Sequence, residues 1–166
     1  SPVRIALDLP DAPSAADLDR LLAGSRPGRE AFLHLFAALS EILADQDGRI
    51  GGAWSRYPAD PLVPDASVWH HAALVGALAA CDGDPALLGF DMGPVRSFAW
   101  SASSFQELWT GTWIASYLVW VGLRTVCEEL GPDHVIYPCV SRQPLFRQWV
   151  GAPTSTDELA LPGLSN

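Results

Sequence analysis

The chain has 166 residues, 49% hydrophobic and only 17% charged, which excludes a disordered polyelectrolyte and supports a core packed without covalent staples. Its 19 acidic residues outnumber 10 basic ones for a formal net charge of -9, so the mean field repels phosphates and excludes a general nucleic-acid-coating role. Cys81, Cys127 and Cys139 are widely spaced with no CxxC, which signals neither a disulfide framework nor a zinc site and reads as thiols in a reducing cytoplasm.

Residues 3–9 (VRIALDL) alternate weakly between apolar and polar and predict a strand ended by Pro10. No charged segment followed by an apolar run opens the chain, so secretion is unsupported, and a start at Ser1 without Met is what an excised piece shows. Ser14 and Asp17 resemble a capping box that opens a short helix through Ala23, stopped by Gly24. Residues 29–45 form a clearer amphipathic helix, with Phe32, Leu35, Phe36, Leu39, Ile42 and Leu43 at three- and four-residue spacing. His34 lies off that stripe and reads as structural.

Residues 48–66 are rich in Gly and Pro, with prolines at 58, 61 and 64, and predict an irregular connection long enough to carry function. Ser67 then caps a helix to about Ala80, closed by CDGDP. Residues 86–91 (ALLGFD) read as a buried strand, after which Pro94 opens a helix to about Ala102. A longer helix covers residues 105–130 and stops at Gly131 and Pro132. Its 16 uncharged residues between Glu107 and Arg124 fall short of the roughly 20 that a bilayer needs, and they include Thr110, Thr112 and Ser116, so the helix reads as part of a soluble core. Residues 134–140 (HVIYPCV) predict a second strand, 143–150 a short helix, and 151 onward a loose polar tail. The class expected is α+β, with two strands set parallel by a helical crossover in a split βαβ unit.

Two clusters invite chemistry. Residues 91–97 (DMGPVRS) place Asp91 at a strand end, Gly93 where backbone can approach closely, and Pro94 and Ser97 at a helix N-terminus. Such a turn suits a nucleotide phosphate, to which Arg96 would add a guanidinium fork, although a plain strand-helix turn with a solvated arginine is the default explanation of the pattern. Around PADPLVPDASVWHH, the acids Asp60 and Asp65 with His70 and His71 resemble ligands of a divalent metal for phosphoester hydrolysis. Adjacent helical residues point about 100° apart, so His70 and His71 do not both face one ion easily. Trp109, Trp113, Tyr117 and Trp120 share one stripe of the long helix, which is the spacing of core packing more than of a base-stacking platform. No P-loop, GxSxG or triad order is present.

Taken in order, FLHLFAALSEIL, YPADPLVPDASVWHH, LLGFDMGPVRSF, ELWTGTWIASYLVW, ELGPDHVIYPCVSRQPLFRQWV and LPGLSN resemble the large signature subunit of type III-B CRISPR effector complexes, from about residue 30 to 166. The resemblance implies the end of a permuted HD-type nuclease domain over residues 1–82, the first of two ferredoxin-like, cyclase-like palm domains over 83–152, and a linker over 153–166. It implies that Asp91, Gly93, Pro94 and Ser97 face ATP shared with a second palm, for synthesis of cyclic oligoadenylate, and Arg96 joins them only through the reading of the turn given above. It also implies that Asp60, Asp65 and His71 correspond to HD-side residues, with Mg or Mn as the divalent ion. The partners implied are the other type III effector subunits and, through the complex, guide and target RNA, in the cytoplasm and without a membrane. The GGDD motif of the second palm is absent here. Ala66 stands where the family often has His, His70 replaces an acid, and Phe105 and Gln106 replace a Thr-Arg pair. The rival expectations are a stand-alone ferredoxin-like domain for binding or dimerisation, and a metal-dependent phosphohydrolase remnant.

Overall fold

The computed structural model describes residues 28–46, 51–60, 62 and 65–160, so the strand expected at 3–9 and the helix at 14–23 lie outside the described residues. Six α-helices follow in order: α1 Arg29–Gln46, α2 Val68–Ala80, α3 Val95–Trp100, α4 Phe105–Glu129, α5 Pro144–Trp149 and α6 Thr156–Leu159. Three 3-10 turns, Gly51–Arg56, Pro132–His134 and Val140–Arg142, join them. The helices expected after Arg29, Ser67, Pro94, Ser104 and Gln143 are all present, and their local signals operate. Ser67 Oγ accepts from the His70 N–H, and Ser104 Oγ accepts from the Glu107 N–H.

The expected sheet is absent. Among the described residues there is no β-strand, and the nearest approach to one is an isolated antiparallel bridge between Pro58 and Ser67. This overturns the α+β class, the ferredoxin-like palm and the split βαβ unit. A strand needs a neighbour for its N–H and C=O groups. Residues 86–91 take no regular secondary structure, are exposed and make no backbone hydrogen bond to a described residue. Residues 134–140 instead run between two 3-10 turns, where the Val135 N–H bonds back to the Pro132 carbonyl and Pro138 has no N–H to donate.

The core forms where α1, α4 and α5 meet. Trp120, Leu123 and Cys127 recur at three- and four-residue spacing on one face of α4, and they pack with Ala37 of α1 and with Val140, Phe146 and Val150. Phe146 is fully buried, with its ring 6.1 Å from Phe36, 6.2 Å from Trp120 and 5.9 Å from Trp149. Arg147, the next residue, ties α5 to α1: its guanidinium donates to Glu41 at 2.6 and 3.1 Å, and to the carbonyl of Pro153 at 3.2 Å. At the far end of α1, Arg29 donates to the Cys127 carbonyl at 2.7 Å. Four aromatic rings and two arginine clamps thus close one side of α4.

The other side of α4 carries the segment that leads into α3. Phe90 lies against Gly122 and Phe98 against Gly111, so residues 90–98 run along the helix over eleven positions, about 16 Å. Glycine permits this close approach: a Cβ at 111 would sit 3.2 Å from the Phe98 ring. Here the apolar residues stay open to solvent, with Leu87, Leu88 and Trp100 more than four-fifths exposed. The helix Thr156–Leu159 is held back on α4 by the Trp113 indole N–H, which donates to the Leu159 carbonyl at 2.9 Å. Of the aromatic stripe, Trp120 is buried, whereas Trp113 and Tyr117 stack at 5.5 Å with Tyr117 half-exposed.

Candidate functional site

The 91–97 turn is exposed and built as a tight entry into α3. Gly93 has φ +80, a left-handed conformation that a side chain disfavours, and its carbonyl accepts from the Val95 N–H at 2.7 Å. Pro94 is the N-cap rather than the first helical residue, and no side chain caps the helix. The Ser97 hydroxyl donates to the Pro94 carbonyl at 2.9 Å, which binds it to its own turn. Asp91 and Arg96 are both exposed. The turn therefore presents one acid, one guanidinium and a bare backbone corner.

Beside it, a hollow of about 510 Å³ is lined by Phe98, Gln106, Glu107, Thr110, Gly111 and Ile114. The Glu107 carboxylate accepts from the Ser103 hydroxyl at 2.8 Å and from its N–H at 2.7 Å. These two bonds, the hydroxyl's foremost, hold the Glu107 carboxyl below its usual range and keep it ionised. A fixed carboxylate in this hollow opposes an anion and suits a cationic or hydrogen-bond-donating group.

The second cluster is rearranged relative to the sequence expectation. Asp65 and His70 line a common cleft of about 460 Å³, together with Arg56, Ser67, Cys139 and Arg142. Asp60 instead closes its own turn, its Oδ1 accepting from the Leu62 N–H at 2.8 Å, and His71 is exposed and not among the cleft's lining residues. His70 Nδ1 lies 3.1 Å from Ser67 Oγ. Among the described residues no three His, Cys, Asp or Glu side chains converge in a way that would hold a metal ion, so the set Asp60, Asp65 and His71 does not fit one. Sequence reasoning missed Arg56 and Arg142, because the 51–56 and 140–142 turns come to one cleft only in three dimensions.

The remaining candidates are quieter. Cys81 and Cys139 are free thiols, and Cys127 is fully buried. Burial, with the Asp133 carboxylate adding, pushes the Cys127 thiol up to about 11, so it stays a neutral core residue. No helix among the described residues is long and apolar enough to cross a membrane.

The stretch that holds the 91–97 turn and all of α3 to α6 is matched by the family model for CRISPR-associated protein Cmr2, N-terminal, over residues 87–166, just under half of the chain. The chain is also 33% identical over 109 residues to the CRISPR system Cmr subunit Cmr2 of Pyrococcus furiosus, an overlap of 66% of this chain and 12% of that protein. The motif-based resemblance to the large subunit of type III-B CRISPR complexes is therefore shown, and the chain spans about an eighth of the length of that relative. No solved structure matches it. Asp60, Asp65 and His71 lie outside the residues that the family model matches.

Proposed function

We propose that the chain works as one segment of a type III CRISPR effector large subunit, in the cytoplasm, and that its role is chiefly architectural. The observation that carries this reading is the unfinished apolar side of α4. Leu87, Leu88, Phe90, Trp100, Ile114 and Leu118 are all exposed, in residues that the Cmr2 N-terminal model matches. A stable monomer rarely leaves so many large apolar residues together in water. The rest of a much longer subunit, together with neighbouring effector subunits bearing guide and target RNA, supplies the cover.

Within that assembly the 91–97 turn lines one side of an ATP site. Gly93 lets the backbone approach a phosphate, and Arg96 offers a guanidinium to it. Asp91 would offer one carboxylate to a divalent ion carried by the phosphates. The other ligands of that ion, and the second half of the pocket, come from outside these residues. The reaction served is attack of a ribose 3′-hydroxyl on an ATP α-phosphate, which forms a 3′-linked phosphodiester and releases pyrophosphate, towards cyclic oligoadenylate.

The test is a tagged purification of the native gene product, with mass spectrometry of co-purifying proteins and sequencing of bound RNA. Other effector subunits and guide RNA in the eluate are expected. A protein that purifies alone, without RNA, would sink the effector reading. In the recovered complex, Asp91→Ala is expected to lower ATP affinity at least tenfold, and unchanged affinity would remove the turn from the ATP site.

A further inference from the structure

We propose that the cleft between the 51–56 turn, the start of α2 and the 140–142 turn binds a phosphate group, held by Arg56 and Arg142. This site is separate from the 91–97 turn and does not depend on it.

The first observation is the unusual state of the two arginines. Three of the six described arginines have protein partners: Arg29 on the Cys127 carbonyl, Arg124 on Glu128, and Arg147 on Glu41. Arg56, Arg96 and Arg142 make no ion pair with any described residue, in a chain where acids outnumber bases 19 to 10, and of these Arg56 and Arg142 line one cleft. With Asp65 as the acid of that lining, the second guanidinium charge is left for an anion to offset.

The second observation is that both are mounted on fixed supports. Arg56 ends a 3-10 turn that is pinned by the Trp69 indole N–H donating to the Trp54 carbonyl at 2.7 Å and by the Trp54–Tyr57 ring contact at 5.4 Å. Two backbone bonds close the same wall, Val68 N–H to Tyr57 carbonyl at 2.8 Å and Ala59 N–H to Ala66 carbonyl at 2.9 Å. Arg142 ends the Val140–Arg142 turn, whose Val140 is one of the most buried residues of the core. The bases of both side chains are thus set before any ligand arrives, which reduces the ordering cost of binding.

The third observation is the floor of the cleft. It is the N-terminus of the 13-residue helix α2, with Ser67 and His70 facing the cleft and Ser55 beside them. The Ser55 hydroxyl already donates to the Gly52 carbonyl, Ser67 Oγ caps the His70 N–H and the Val68 N–H bonds the Tyr57 carbonyl. The donors left for a ligand are the two arginine forks, beside the positive end of the α2 dipole. Asp65 is the acid in the lining, and the two guanidinium groups outweigh it, so the cleft keeps a net positive charge that favours a phosphate monoester or diester. At about 460 Å³ the cleft holds a nucleotide-sized group rather than a bare ion alone.

Calorimetric titration of the full chain at low salt tests this, with inorganic phosphate, 5′-AMP, the diester ApA and adenosine as probes. Saturable binding of 5′-AMP, of ApA or of both is expected, with none for adenosine. Binding of 5′-AMP but not ApA identifies a terminal phosphate, and binding of both identifies a backbone phosphate. Arg56→Gln and Arg142→Gln should each weaken binding about tenfold or more, and Arg142→Lys by less, because a charge remains but the fork is lost. Both arginines are exposed, so circular dichroism melts of these variants should match the parent. Arg96→Gln is the control: if it abolishes binding while Arg56→Gln does not, the ligand sits at the 91–97 turn and the cleft proposal is overturned. Absence of phosphate-dependent heat at millimolar probe overturns it as well.

Discussion

The two sides of α4 make a natural experiment in what completes a fold. On one side Trp120, Leu123 and Cys127 meet Phe146, Val140 and Ala37 in a core with every member nearly dry. On the other, Phe90 and Phe98 lie over glycines, while Leu87, Leu88 and Trp100 remain in water. Both sides carry apolar residues in sequence, so their presence alone does not distinguish them. What differs is supply: α1 and α5 bring aromatic rings and arginine clamps to the closed side, whereas the open side has only residues 86–91, without a backbone partner among the described residues, and the short helix α3. A helix with two apolar faces and one partner reads as part of a larger body.

The sharpest way to break this comparison is to cut both sides equally. Phe146→Ala should lower stability in urea unfolding by about 3–5 kcal/mol, since it empties the centre of the aromatic cluster. Leu88→Ala should stay within about 0.5 kcal/mol in the same assay, being 83% exposed. A loss of core size at Leu88 would show that the open side is already covered in solution. Next in size is the clamp. Arg147→Ala should cost about 1–2 kcal/mol through its carbonyl and carboxylate bonds, and Glu41→Gln less, because Glu41 is half-exposed and its share is screened by solvent.

Cys127 gives the closed side a pH signature. Its thiol sits at about 11 in the fold against 9.0 for the free group, so above pH 9 the unfolded chain loses the proton first and the native state keeps it. The contribution is fully present below pH 9 and disappears as pH rises through 11. Denaturant midpoints should fall across that window, and Cys127→Ala should flatten the fall. In the native state Cys139 should react rapidly with an aromatic disulfide reagent at pH 8, and Cys127 only upon unfolding.

The helices were legible because their signals are local. Ser67 caps, Gly131 and Pro132 stop, and the 3.6-residue stripe of α4 shows in the sequence itself, whereas the Ser104 cap is seen only in the structure. The strands were misread because an apolar run such as ALLGFD reports burial or pairing without saying what supplies it. HVIYPCV has strand composition, yet turns on either side and Pro138 within it leave no ladder to join. The 91–97 turn was legible through Gly93 and Pro94. The Arg56–Arg142 cleft was not, since its two arginines come from turns that are distant in sequence and that each pack on α1.

The finest probe of the open side is the pair of glycines beneath the phenylalanines. Alanine in a helix interior is favoured over glycine by about 1 kcal/mol, so both substitutions start with the same gain. A Cβ at 122 would sit 3.5 Å from the Phe90 ring, an ordinary contact, and Gly122→Ala should raise stability by most of that amount. At 111 the Cβ would be 3.2 Å from Phe98 Cε1, so the ring must move by a few tenths of an ångström. Phe98 is more than half-exposed and free to move outward, so Gly111→Ala should be near neutral rather than damaging. Thermal melts of the two variants decide it. If Gly111→Ala destabilised by more than about 1 kcal/mol, Phe98 would be held from outside and the open side would already have a cover, whereas the expected order, Gly122→Ala above Gly111→Ala near the parent, leaves that face free for a partner.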